Sequence, residues 1–185
     1  GSNDGTLLKF FKKKGFNVLG IDPAKKIAQK ATEEGIKTIS EFFNLNLAKK
    51  IRKEYSSASL ITANNVFAHA DDLIEILNGI KFLLSKDGIF VFEVSYLLDV
   101  FEKTLFDTIY HEHLSYHSVK PLHNFFSLNG MELIDVKRIN THGGSIRCVT
   151  KLKNSKRLVN NSVQDLIKKE EICELDNADT FRKFG

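Results

Sequence analysis

The sequence predicts an α/β fold: a doubly wound, Rossmann-like sheet, mostly parallel, with helices on both faces. Two observations lead there. Short apolar runs rich in Ile, Val and Phe alternate with amphipathic stretches of helical period along the first half of the chain. The glycine-bearing turn Gly1-Ser2-Asn3-Asp4-Gly5 runs into the first of those helices, and a carboxylate, Asp22, follows twenty-one residues after Gly1 at the end of the next apolar run. Turn, helix and strand-end acid at that offset form the βαβ arrangement that grips an adenosine. Glycine leaves room for close approach, and the carboxylate accepts from ribose hydroxyls.

Each element has a local reason. Residues 7–14 place Leu7, Leu8, Phe10 and Phe11 on one helical face before Gly15 stops the helix, and residues 16–22 read as a short buried strand. Gly1-Ser2 alone also fits a cloning remnant, although Ser2-Asn3-Asp4-Gly5 continues sensibly into the helix. Asp22 can double as the cap of the next helix, where Pro23 takes the first helical position. A strand at 36–39, a helix at 45–55, a strand at 58–65 with a polar end, a helix at 71–84 and a strand at 88–94 complete the alternation. Ligands of such sheets bind at the carboxyl ends of strands, and Asp22, Asn64, Asn65 and Glu93 sit at or near such ends. A helix over 119–128 stops at Asn129-Gly130, and 131–136 with 145–150 reads as an antiparallel pair at the sheet's edge, followed by a polar helical stretch over 163–174. A doubly wound sheet has a central strand just before its glycine turn. The chain therefore reads as a fragment whose first central strand is missing: 1–152 is the expected cofactor-binding domain, and 153–185 the helical start of a truncated C-terminal domain.

Composition narrows the class without naming a chemistry. At 185 residues, 42% hydrophobic and 27% charged, the chain is a globular protein able to bury a sizeable core. Its formal +4 is spread over scattered basic pairs and triplets, which argues against nucleic acid as a partner. Two cysteines far apart make no disulfide framework or cysteine zinc site, apolar runs fall short of a membrane span, and no signal peptide is visible; a cytoplasmic protein is expected.

Proton-transfer groups concentrate in residues 107–117, where His111, His113 and His117 stand among Tyr110, Tyr116, Asp107 and Glu112. A packed core has no use for that mixture, because each buried polar group needs its own hydrogen bond or costs a few kcal/mol, on the order of 1–3. The stretch is a candidate reaction centre. Read as metal ligands, its histidines lack an acidic or sulfur partner at fixed spacing, so no metal is expected. Any one of them also fits a hydrogen-bonded structural role. His142-Gly143-Gly144 fits a tight turn, and Arg147 beside it carries a guanidinium suited to a phosphate.

Five segments in order, Gly1-Ser2-Asn3-Asp4-Gly5, Gly20-Ile21-Asp22-Pro23, Thr62 to His69, Phe106 to His113 and His142 to Arg147, together resemble the S-adenosylmethionine-dependent C-methyltransferases that act on nucleotide-linked keto-deoxysugars. The resemblance covers roughly residues 1–150 and implies a class I methyltransferase sheet with S-adenosylmethionine as cofactor, held by Gly1, Asn3, Asp4, Gly5, Asp22, Pro23, Asn64 and Asn65. It implies a substrate of the TDP-linked 4-keto sugar type, with methyl going to the carbon beside the keto group. Family members typically carry a cysteine-rich zinc domain before the glycine turn and a further C-terminal domain; this sequence has no four-cysteine cluster, and zinc is not carried over. From the family's tyrosine-x-glutamate-histidine pattern, His113 is the expected base, Tyr110 a hydroxyl near the sugar or cofactor, and Glu112 a group orienting or assisting the base. His111 has a competing claim. His69, His111, His142 and Arg147 are the expected substrate contacts. The alternatives are an O- or N-methyltransferase on the same cofactor fold, an inactive fragment, and an NAD enzyme, whose G-x-G-x-x-G fingerprint is absent.

Overall fold

A computed structural model describes residues 1–184. In chain order it contains α1 (Thr6–Lys13), β1 (Gly20–Ile21), α2 (Lys25–Glu33), β2 (Thr38–Ile39), α3 (Leu45–Tyr55), β3 (Ala58–Asn64), α4 (Leu73–Leu83), β4 (Leu84–Ser95), α5 (Leu97–Lys103), α6 (Val119–Leu128), β5 (Met131–Ile139), β6 (Ser145–Leu152), α7 (Ser162–Ile172) and α8 (Ala178–Phe184). These fall into two compact units, one of residues 1–56 with 78–83, the other of 57–77 with 84–185. The strands form two sheets instead of one: a parallel pair β1-β2 in the first unit and a four-stranded sheet β3-β4-β6-β5 in the second.

In the first unit, the turn ahead of α1 closes through the Gly5 N–H on the Ser2 carbonyl, and Ser2 N–H donates to the Ile21 carbonyl of β1 at 2.9 Å. Gly5 has a positive φ of 76°, and a Cβ there would lie 3.0 Å from the buried Ile36 side chain, so both conformation and space require glycine. The strand expected over 16–22 shrinks to two residues because its partner β2 is only two residues long. Phe16 instead packs edge-on against Phe11, with ring centroids 6.0 Å apart. Ala28, Ala31, Leu47, Ala48 and Ile51 are the buried faces of α2 and α3, the periodic positions of two amphipathic helices. Asn44 caps α3, its side chain accepting from Leu47 N–H at 2.8 Å.

In the second unit, β3 runs parallel to β4, while β6 runs antiparallel to both β4 and β5. The final strand in sequence is thus interior, and β5 forms the edge that β5 and β6 together were expected to form. The reason lies in composition: β6 carries Ile146, Cys148 and Thr150, all fully buried, which a strand needs when it is paired on both sides. β4 also begins four residues earlier than the glycine at 88 suggests. Leu84 pairs with Ala58 across a register shift, and Gly88 sits where a Cβ would approach the Ala58 carbonyl to 2.9 Å, so it marks a close approach and not a stop. One sheet face is dry. Phe67, Phe90, Phe92 and Phe126 stack there with centroids 5.0–5.5 Å apart, and α6 contributes Val119 and Leu122. Val163 and Ile167 of α7 are buried as well.

Candidate active site

In the second unit, the chain leaves the sheet at Tyr96 and returns at His117. The two residues form a β-bridge, and Leu97 N–H donates to the His117 carbonyl at 2.9 Å. Everything between, α5 and the histidine-rich stretch, is an excursion from that stem. Its far end is pinned by the short 3₁₀ turn after β3: Leu114 N–H and Ser115 N–H both donate to the Ala68 carbonyl, at 2.8 and 3.3 Å.

Within the excursion, His113 is held in one tautomer. Its Nδ1 lies 2.8 Å from the Thr108 carbonyl, which can only accept, so Nδ1 carries the proton and Nε2 of the neutral ring presents a lone pair. That lone pair faces the Tyr110 hydroxyl at 3.1 Å, with the two rings 4.3 Å apart. The Tyr116 hydroxyl donates to the same Thr108 carbonyl at 3.2 Å, and the His69 ring lies 5.0 Å from that of His113, its Nδ1 bonded to the Glu112 carbonyl at 2.8 Å. A carbonyl-oriented imidazole whose second nitrogen faces a phenol carries the groups needed to take a proton and to donate a hydrogen bond to a neighbouring oxygen.

The structure brings together some of the expected residues and separates others. Tyr110, His113 and His69 form one cluster. The Glu112 carboxylate is not beside His113. It is exposed, with the His111 imidazole at 4.0 Å, and His111 itself projects into solvent with 90% of its side chain exposed. Adjacent residues in an open loop point apart, and the group orienting the His113 ring is a backbone carbonyl instead. His117 turns inward, where burial pushes its imidazole below the ordinary value against a hydrogen bond to the Phe67 carbonyl, and its Nε2 has no partner among the described residues. The three histidines therefore do not converge. The parts that sequence reasoning missed, the carbonyls of Thr108 and Ala68, act through backbone and leave no residue-type signal; Tyr116 carries a visible signal in belonging to the same polar stretch.

At the carboxyl ends of β3 and β4, Asn64 pairs with Glu93, and the left-handed Asn65 (φ 53°) donates its N–H to the Glu93 carbonyl at 2.8 Å. The nearly buried Glu93 carboxylate accepts from the Thr141 hydroxyl at 2.8 Å and from Arg147 Nη2 at 3.1 Å. The guanidinium expected at a phosphate is thus already paired, although half of that side chain stays exposed. His142 is exposed in a left-handed conformation (φ 50°) in the turn between β5 and β6. That turn rests on α5: Lys103 Nζ donates to the Gly143 carbonyl at 2.7 Å.

In the first unit, the buried Asp22 carboxylate is the centre of the glycine turn. One oxygen accepts from Asn3 N–H at 2.8 Å and the other from Ala24 N–H at 3.0 Å. Asn3 is left-handed (φ 49°), and the Asp4 side chain caps Thr6 N–H at 3.0 Å. A carboxylate anchored by backbone donors, with a second lone pair left on each oxygen, beside a turn that admits no Cβ at Gly5, fits the ribose hydroxyls of an adenosine-bearing cofactor.

Known proteins agree with this architecture. The chain is 35% identical over all its 185 residues to C-methyltransferase NovU of Streptomyces niveus, and spans 44% of that relative's length. Among solved structures, it resembles a SAM-dependent methyltransferase from Anabaena variabilis (TM-score 0.63, 18% identity, 82% of this chain and 74% of the other). It also resembles the magnesium protoporphyrin IX methyltransferase of Synechocystis PCC 6803 with bound SAH (TM-score 0.61, 13% identity, 81% and 70%). Residues 140–185 match a C-methyltransferase C-terminal domain, and residues 1–136, the greater part of the chain and all of the site just described up to Tyr116, match the methyltransferase domain: the chain belongs to the methyltransferase family, on a class I fold.

Proposed function

We propose that the protein moves a methyl group from S-adenosylmethionine to the carbon beside the keto group of a nucleotide-linked deoxysugar. The observation that carries this reading is the orientation of His113: an imidazole whose Nδ1–H is spent on the Thr108 carbonyl and whose Nε2 faces the Tyr110 phenol. Carbon methylation beside a ketone needs such a base, whereas a methyl transfer to oxygen or nitrogen starts from an atom that already has a lone pair. The 35% identity to a C-methyltransferase supports the same choice.

In the first unit, Gly1, Asn3, Asp4, Gly5, Asp22 and Pro23 are the residues that would hold the cofactor, and bound S-adenosylmethionine supplies an electrophilic methyl group. The protein's own residues prepare the acceptor. Nε2 of His113 removes the proton alpha to the carbonyl; the C–H pair becomes the new C=C bond of the enolate, and negative charge collects on the former carbonyl oxygen. Tyr110 donates its hydroxyl hydrogen bond to that oxygen, and Thr108 holds the imidazolium through Nδ1–H. His69 and His142 contact the sugar, and the exposed part of Arg147 contacts the nucleotide phosphates. His111 and Glu112, both open to solvent, reach a bound substrate at the rim of the cluster.

Solvent deuterium exchange into a TDP-linked 4-keto sugar tests the reading, because enolisation is observed without methyl transfer. Wild type exchanges the alpha hydrogen, and His113→Ala slows exchange at least a hundredfold, in line with the usual contribution of a general base. Exchange that survives in His113→Ala removes His113 from the role, and methylation without any exchange points to oxygen or nitrogen as acceptor.

A further inference from the structure

The excursion that carries Tyr110 and His113 is closed at its base by a buried carboxylate contributed from far along the chain. Glu170 of α7 is 3% exposed. One of its oxygens accepts from the Tyr96 hydroxyl at 2.8 Å and from Val119 N–H at 2.6 Å, and the other accepts from Lys120 N–H at 2.9 Å. Tyr96 is the last residue before the excursion, and Val119 and Lys120 are the first turn of α6, directly after it. A single side chain therefore grips both ends of the segment.

The chemistry of the grip is complete. Burial and the neighbouring carboxylate push the Tyr96 phenol well above its ordinary value, so it stays protonated and donates. Free N–H groups at the start of α6 offer the buried carboxylate two further donors and the positive end of a helix dipole. The Arg138 guanidinium lies over the Tyr96 ring, 5.6 Å from its centroid. The Tyr96–His117 bridge alone is one isolated rung; with Glu170 it becomes a closed clasp.

We infer that Glu170 is a positioning residue for the proton-transfer loop: by clasping Tyr96 to the start of α6 it sets the geometry in which Thr108 orients His113 and Tyr110 meets Nε2. Glu170 belongs to the segment matched by the C-methyltransferase C-terminal domain, while the loop belongs to the methyltransferase domain, so the first supplies a part the second needs. The catalytic consequence rests on the proposed function; the clasp itself is measured without turnover.

The test uses Tyr96→Phe, which removes one hydroxyl and leaves Glu170 on α6, together with Glu170→Gln, which keeps the shape and removes the charge. Amide hydrogen exchange is followed across residues 104–116, and kcat is separated from KM for each substrate. In Tyr96→Phe the amides of 104–116 exchange at least tenfold faster while those of 122–128 keep wild-type protection, and kcat falls about tenfold with KM for S-adenosylmethionine unchanged. Glu170→Gln adds faster exchange at Val119 and Lys120. Wild-type exchange over 104–116 in both variants overturns the inference, and so does a uniform rise across the whole sheet, which marks Glu170 as a contributor to stability alone. Faster loop exchange in a protein whose wild type transfers no methyl group upholds the clasp and removes the proposed function instead.

Discussion

Replacing Gly144 by alanine probes the contact between the β5-β6 turn and α5. An added Cβ would lie 2.2 Å from Asp99 Cγ and 2.4 Å from its Cβ, more than 1 Å short of the 3.4 Å at which ordinary contact begins. Asp99 cannot step aside cheaply. It is fully buried, accepts two hydrogen bonds from Arg138 at 2.9 and 2.8 Å, and has Lys103 Nζ at 2.6 Å. Burial alone would raise its carboxyl, but the hydrogen bonds and charges of Arg138 and Lys103 outweigh that and hold it below the ordinary range. A retreat of about 1 Å takes both Arg138 bonds past hydrogen-bonding distance, and breaking one side of a buried ion pair costs about 3–5 kcal/mol. Gly144→Ala should therefore lose about 3–5 kcal/mol in urea unfolding and roughly 6–20 °C in melting temperature. Gly143→Ala is the control. Its Cβ would meet only the movable end of Leu105, at 2.8 Å, so its cost is limited to left-handed strain of about 1–2 kcal/mol. If Gly144→Ala is the milder of the two, or costs below about 1 kcal/mol, the Asp99 contact does not constrain the turn and this reasoning fails.

Because the folded state lowers the affinity of His117 for a proton, the unfolded chain binds that proton first as pH falls below the ordinary imidazole value near 6.5; stability drops in that window by at most about 1.4 kcal/mol per pH unit, and the drop ends below the folded value. Thermal melts of wild type and His117→Phe between pH 7 and 5 read it: the variant should lose part of the pH dependence, and equal slopes would count against His117. Asp22→Asn keeps one acceptor for two backbone donors and discards the charge, so calorimetry with S-adenosylmethionine should show at least tenfold weaker binding. Asn44→Ala removes the cap of α3 and should cost about 1 kcal/mol, read by chemical unfolding. Burial drives the Cys148 thiol far up, so a thiol reagent should label Cys173 in the folded protein and reach Cys148 only after unfolding.

Helices with a complete local signal were legible in the sequence. α3 and α6 have the bounds their periodicity predicts, and the Asn129-Gly130 stop that ends α6 is local chemistry. α5 was not foreseen. It is seven residues long, has no side-chain cap, and is anchored by Asp99 to Arg138, thirty-nine positions away, which no window of sequence displays. The same division runs through the candidate site. His113 and Tyr110 stand out by residue type, but the partner that sets the tautomer is the carbonyl of Thr108, and carbonyls are the same in every residue. Glu112 is the converse case: closeness in sequence suggests a place beside His113, while the loop holds its exposed carboxylate 4.0 Å from the His111 imidazole. Glu170 is invisible for the same reason as α5, since its three donors lie more than fifty residues away or nearly so and only the folded chain assembles them.

The interior position of β6 has a consequence for how this chain reaches its native state. During synthesis β4 emerges long before the strand that completes it, since Phe92 must wait for Cys148 and Val94 for Ile146. Until then Ile89-Phe90-Val91-Phe92, an uncharged run of high strand propensity, offers an unpaired edge to any other chain nearby. Pairing across that sequence distance is entropically slow. The nascent protein therefore passes through a stage in which self-association competes with the closure of its own sheet, and its yield in cells should depend on growth temperature and chaperone capacity more than its final stability suggests.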